Sequence, residues 1–177
     1  MGTRIPHRSC TRRSVVSHEF RVGQGFDVHR FSDDPSRVLV LGGVVFEGER
    51  GLDGHSDADA IAHACADALL GAAGSGDIGE HFPDTDPTWK GADSLTILAD
   101  VVRLVTAQGW VIGNVDCSVV CEAPKLAPRR AAMQDALSKV VGAPVSVKGR
   151  RAEGLGALGR REGIACWAVA VLSRPVT

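Results

Sequence analysis

Apolar and polar positions alternate from Phe20 to Phe31, in "FRVGQGFDVHRF", and this period of two predicts a β-strand punctuated by glycine. Within "FDVHRF" the alternation has a consequence for chemistry. Residues i and i+2 of a strand share a face, so Asp27 and His29 stand side by side. They face water, each other or a metal. "SDDPS" (32–36) is a turn cluster, and "RVLVLGGVVFEG" (37–48) reads as a hairpin bending at Gly42-Gly43. After a loop at 49–57, the Ala-rich "SDADAIAHACADALLGAAG" predicts a helix. Ser56 is its expected N-cap, Asp57 and Asp59 suit its positive end, and Gly71 or Gly74 closes it.

The stretch at 75–93, rich in Gly, Pro and Asp, reads as a long structureless loop of the kind that carries function. "DSLTILADVVRLVTAQG" (93–109) is an amphipathic helix capped by Asp93 and stopped at Gly109. A strand at 110–122, a helix starting around Pro128 and ending at 142, and a strand at 144–149 follow. A Gly/Arg loop at 150–163 leads to a last strand at 164–172. Hairpin and crossover connections both occur. The expected fold class is therefore α+β: a mixed sheet of the four-stranded type, with helices packed on one face, in a single domain spanning 20–177.

Composition narrows the classes. Hydrophobic residues make up 44% and charged residues 23% of the 177 positions, as in a globular domain with its own core. No apolar run reaches the ~18 residues that read as a membrane span. The net charge of −1 gives no general footprint for nucleic acid. The five cysteines, Cys10, Cys65, Cys117, Cys121 and Cys166, are odd in number and without C-x-x-C spacing. They read as reduced thiols of a cytoplasmic protein, serving as small core residues, although Cys117 and Cys121 share a strand face. Residues 1–19 are basic, lack a signal-peptide core and read as a disordered leader, with organelle targeting left open.

Histidines and carboxylates supply the candidate chemistry. Asp59, His63 and Asp67 recur at a spacing of four and form a polar stripe on the Ala-rich helix. His63 is either a core histidine bonded to an acceptor or a metal ligand. With Asp27 and His29 it completes a set of one carboxylate and two imidazoles, which suits Zn²⁺ with an open fourth position. Asp59 or Asp67 could then orient a ligating imidazole. "GHSD" (54–57) at a helix start could present N–H groups and a hydroxyl to phosphate, or simply cap the helix. Asp77, Asp84 and Asp86 could grip sugar hydroxyls or a metal, or be a solvated turn cluster. Glu153 among Arg150, Arg151, Arg160 and Arg161 reads as a phosphate- and metal-binding loop, or as a solvated charge run.

Taken together, "VGQGFDVHRF", "LGGV", "GLDGHSDADAIAHACADALLGAAGSGDIGEHFPDTDPTWKGADS", "GNVDCSVVCEAPK" and "GRREGIACWAVA" resemble the 2-C-methyl-D-erythritol 2,4-cyclodiphosphate synthase family. These are cyclases of the non-mevalonate isoprenoid pathway. The resemblance runs from about Arg21 to the C-terminus. It implies a homotrimer with active sites between subunits and a nucleotide-diphosphate substrate. Zinc would be held by Asp27, His29 and His63, and a second ion, Mg²⁺ or Mn²⁺, by Glu153. The methylerythritol phosphate would be held by His55, Ser56 and the loop of Phe82, Pro83, Asp84, Thr85 and Asp86. The ribose would lie at Asp77, Ile78 and Gly79, and the cytosine at 121–127, including Ala123, Pro124, Lys125 and Leu126. His55, Arg151 and Glu153 are the catalytic candidates.

Two departures from the family pattern matter. Where many members carry Thr-Thr-Thr-Glu, this chain has Arg150, Arg151, Ala152 and Glu153. The diphosphate contact then falls to backbone N–H groups or the arginines. A family phenylalanine is replaced by Ala157, beside Arg160 and Glu162, where the resemblance implies a central cavity for an isoprenoid diphosphate. Two other readings use the same residues: a metal-dependent nucleotide-diphosphate hydrolase, and a non-catalytic isoprenoid or nucleotide sensor.

Overall fold

A computed structural model describes residues 17–176, so most of the basic leader and Cys10 lie outside the described residues. The first strand, β1 (His18–Arg30), begins two residues before the expected edge of the domain. A hairpin follows, β2 (Val38–Leu41) and β3 (Val44–Arg50), turning at Gly42 and Gly43, both at positive φ. Then come α1 (Ala60–Ala73), a four-residue helix α2 (Ile78–His81) and α3 (Ser94–Ala107). The second half holds β4 (Val111–Val120), α4 (Arg130–Val141), β5 (Val145–Arg150), the short α5 (Gly156–Gly159) and β6 (Gly163–Pro175).

The main sheet has the order β1-β6-β4-β5, antiparallel except for the β4–β5 pair, and β2–β3 forms a separate two-stranded sheet. The α+β fold with a mixed sheet and helices on one face is as the sequence predicts. Three local expectations are corrected. The 75–93 segment contains α2 and a 3₁₀ turn at Pro87–Trp89, because Asp77 and Asp86 cap them by accepting the N–H groups of Glu80 and Thr88. The Gly/Arg loop likewise contains α5. Third, Asp59, not Ser56, is the N-cap of α1.

Asp59 does more than cap. Its carboxylate accepts from Ile61 and Ala62 and also from Gly42 and Gly43 of the hairpin turn, so it ties the hairpin to the helix. Burial pushes Asp59 up to about 6, against the pull of these N–H donors. Gly74 closes α1 in the left-handed conformation, one of the two glycines expected there.

Glycine in β1 decides how close α1 comes. A Cβ at Gly25 would fall 2.0 Å from the carbonyl oxygen of Ala64, and one at Gly23 would fall 2.1 Å from that of Ala68. Only glycine in the strand and alanine in the helix allow this approach. On the same inward face, β4 and β6 bury Val115, Cys117, Val119, Cys166, Ala168, Ala170 and Leu172 against the helices. The four described cysteines are free and buried, with Cys65 Sγ 3.3 Å from Cys117 Sγ, and act as small core residues. The outward face is apolar too: Phe20, Val22, Phe26, Val28, Trp167 and Val169 are exposed on it. Phe26 and Trp167 pair across the strands with ring centroids 4.9 Å apart.

Candidate active site

The close packing of α1 on β1 brings three side chains together. Asp27 and His29 project from the inward face of β1, and His63 faces them from the first turns of α1. Asp27 Oδ2 lies 3.0 Å from His29 Nε2 and 3.1 Å from His63 Nδ1. The three ligand atoms all lie within 4.8 Å of one another, and no other such cluster occurs among the described residues. All three are half-buried and open into a cavity of about 490 Å³. One carboxylate and two imidazoles with an open side fit a catalytic zinc-type site.

The opposite ring nitrogens are held. His29 Nδ1 sits 2.7 Å from the carbonyl oxygen of Asp53 and donates to it. When His63 Nδ1 serves as a ligand atom, the ring proton sits on Nε2, 2.8 Å from Ser94 Oγ and 3.2 Å from Ser56 Oγ. Ser94, 1% exposed, in turn donates its hydroxyl to Asp57. Asp57 also accepts the Ser94 N–H at 3.2 Å. The chain His63–Ser94–Asp57 therefore orients the imidazole from behind. Sequence reasoning missed it. Asp59 is occupied by backbone N–H groups, and Asp67 accepts the N–H of Ile78, so neither expected carboxylate orients a histidine. The available signal was Ser94 in "KGADS", but pairing it with His63 requires the tertiary fold.

The electrostatics follow from this packing. Burial pushes Asp27 up, but the two histidines outweigh it and hold its carboxyl down at about 2. Burial pulls His29 down, yet Asp27 and the Asp53 carbonyl leave it above its ordinary value. A cation bound by these three side chains would compete with their protons, so its affinity would rise with pH.

Around the triad, the cavity is lined by Gly54, His55, Ser56, Ile78, Gly79, Phe82, Pro83, Asp84 and Trp89. His55 Nε2 lies 3.1 Å from the Asp86 carbonyl oxygen, which fixes the ring against the loop. Of the three aspartates singled out in this region, Asp77 and Asp86 spend side-chain oxygens on caps, while Asp84 lines the cavity. Thr85 is exposed on the same loop.

A second cavity, of about 440 Å³, opens at the other edge of the sheet. Cys121, Glu122, Pro124, Lys125, Leu126 and Ala127 line it on one side, and Gly149, Arg150, Arg151 and Arg161 on another. It shares no lining residue with the first. β1 and β5 are the two edge strands, three spacings or roughly 14 Å apart across the sheet. The chain therefore collects the predicted site residues into two separate groups. Ala123 is half-buried beside the second cavity, and Ala152 and Glu153 follow its arginines on an exposed loop. Arg160 instead pairs with Glu162 at 2.6 Å.

The profile of the YgbB family matches residues 20–173. The chain belongs to the YgbB family. It is 53% identical to the 2-C-methyl-D-erythritol 2,4-cyclodiphosphate synthase of Synechococcus elongatus over 158 residues, covering 88% of this chain and 98% of that one. It is 52% identical to the synthase of the same name from Bordetella petrii, covering 88% and 96%. Among solved structures, it resembles a CDP-bound 2C-methyl-D-erythritol-2,4-cyclodiphosphate synthase with a TM-score of 0.77 and 39% identity, covering 86% of this chain and 99% of that one. It also resembles the bifunctional IspDF of Campylobacter jejuni, with a TM-score of 0.85 and 40% identity, over 89% of this chain but only 43% of that one. The aligned span includes residues 20–30 of β1 and all of α1 and β5, so both cavities lie in family sequence.

Proposed function

We propose that the chain is a metal-dependent cyclase of the non-mevalonate isoprenoid pathway. It converts 4-diphosphocytidyl-2-C-methyl-D-erythritol 2-phosphate to 2-C-methyl-D-erythritol 2,4-cyclodiphosphate and CMP. The observation that carries this reading is the Asp27–His29–His63 cluster, open to a cavity in a chain about half identical to named synthases of this reaction.

In the proposed reaction an oxygen of the substrate's 2-phosphate forms a bond to the β-phosphorus. The bond from that phosphorus to the bridging oxygen breaks, and CMP leaves with the electron pair. An ionised phosphate is already a nucleophile, so no general base is required. The site agrees with this, since Ser94, the serine nearest His63, is buried and donates its proton to Asp57. Zn²⁺ held by Asp27, His29 and His63, with Mg²⁺ or Mn²⁺ at Glu153, would supply Lewis-acid neutralisation of the phosphoryl oxygens. The rest is positioning by this chain's residues. His55 and Ser56 stand where the methylerythritol phosphate would sit. Phe82, Pro83 and Asp84 would wall the sugar, with Ile78 and Gly79 towards the ribose; all five line the metal-side cavity. Pro124, Lys125 and Leu126 offer the cytosine cavity.

The two cavities support a homotrimer in which each site joins the metal half of one subunit to the nucleotide half of the next. The outward apolar sheet face supplies a surface for that association, because contiguous exposed apolar patches mark interaction sites. An isoprenoid diphosphate in a central cavity would meet Arg160, whose guanidinium now holds Glu162.

The test is product analysis by ³¹P NMR with the purified substrate and Mg²⁺. The expected result is cyclic diphosphate and CMP from the wild type and neither from His63→Ala. An opened, hydrolysed product would place the chain among the hydrolases. Binding without turnover would make it a sensor.

A further inference from the structure

β5 ends at Arg150, and the loop beyond it carries Glu153 at φ +53, followed by Gly154 at φ +76. Arg151, Glu153, Gly154 and Leu155 are all exposed, so no apolar packing sets this conformation. A carboxylate sets it instead. Glu122, two residues past β4, has a side chain only 4% exposed. Its Oε2 accepts both Nε and Nη2 of Arg151, at 2.9 and 2.8 Å. Its Oε1 accepts the N–H of Gly154 at 3.3 Å. Donors on both sides of Glu153 therefore converge on one group, as around a bound anion.

An exposed ion pair is usually worth little. This one differs in three ways: the arginine gives two N–H groups to one oxygen of the acid, the acid's side chain is shielded from solvent, and a backbone N–H takes its other oxygen. The Arg151 guanidinium beside it holds the Glu122 carboxyl below the usual range. From this geometry we infer that Glu122 and Arg151 are a positioning pair that fixes Glu153 for divalent-metal contact, with Arg151 held away from the substrate phosphates. The inference rests on the proposed function for the role of Glu153. It reassigns Arg151, and leaves Lys125, Arg130, Arg150 and Arg161, which line the same cavity, to meet the anionic substrate.

The test uses the full-length, zinc-loaded protein and two readouts. Amide hydrogen exchange reads the clamp directly: Gly154 should be protected in the wild type and exchange faster in both Glu122→Ala and Arg151→Ala. Slow exchange elsewhere in the sheet shows that each variant is folded. Titration of the CDP-bound protein with Mn²⁺, followed by electron paramagnetic resonance, reads the positioning. Each variant should weaken Mn²⁺ by about 10-fold or more, as loss of an outer-shell partner does. The double variant should be no weaker than either single one, and Glu122→Gln should recover part of the loss. A phosphate-contacting Arg151 predicts opposite signs: Arg151→Ala weakens CDP, while Glu122→Ala frees the guanidinium and tightens it. That pattern, or unchanged exchange at Gly154, overturns the clamp. A wild type that binds no CDP contradicts the proposed function instead, and the exchange result alone then decides the clamp.

Discussion

His63 has one ring nitrogen 3.1 Å from Asp27 and the other 2.8 Å from Ser94, so its orientation is set from both sides. Removing the hydroxyl in Ser94→Ala leaves Ser56 as a longer, shared partner. Zinc affinity, measured by competition with a chelator, should fall by about 10- to 100-fold with the helices intact. An unchanged affinity would show that the serine is only a helix residue. Asp67 gives a pH prediction. Burial pushes it above its ordinary value, so its protonated form adds stability below the unfolded pKa, and this is lost as pH rises through the folded one. Asp67→Asn keeps an acceptor for the Ile78 N–H and removes the charge. It should therefore melt higher than the wild type near pH ~7, with the gap closing towards pH ~4. At this scale the sequence was readable where chemistry lies within a few residues. Asp27 and His29 are legible from strand periodicity alone. The Ser56 cap failed because Asp59 offers oxygens to the helix and to the hairpin turn at once. Ser94 was hidden because its partners, Asp57 and His63, lie 37 and 31 residues away.

The elements meet through small residues. α1 lies on β1 because Gly23 and Gly25 have no Cβ to meet its backbone. Gly25→Ala should cost about 1–3 kcal/mol, as overpacking does, and should weaken zinc by moving α1 and His63 away from Asp27. Gly71 in the same helix is the control. A Cβ there would sit 3.5 Å from Gln24 O, an ordinary contact, and the residue is exposed. Gly71→Ala should raise stability by about 0.5–1 kcal/mol through helix propensity. Thermal melts of the two variants should move in opposite directions. Both the Ala-rich helix and the glycine-punctuated strand were visible in the sequence. Their contact was not, since alternation separates the two faces of the strand but does not show which of them a helix covers. The short α2 was missed for a different reason: an Asp cap and four residues leave no periodicity to read.

For the whole molecule, the outward face of the sheet and the separation of the two cavities point the same way. Phe20, Val22, Phe26 and Val28 alternate outward along β1, on the face opposite the helices. If the proposed trimer forms through this face, Phe26→Glu should convert it to smaller species by sedimentation while leaving the circular dichroism of the fold in place. An unchanged sedimentation coefficient would remove this face from the interface. The sequence pattern shows that β1 is apolar on its even positions. It cannot show that its odd positions, with glycine and the metal cluster, are the ones covered by α1. The most direct test of the account mixes two variants, His63→Ala and Glu153→Ala, each expected to be inactive alone. Co-refolded in equal amounts, they should recover about a quarter of wild-type cyclase activity, because in a cyclic trimer each site needs one intact half from each of two neighbouring chains. No recovery from properly assembled mixed trimers would mean that each chain builds its site alone, and the two-halves account would be wrong.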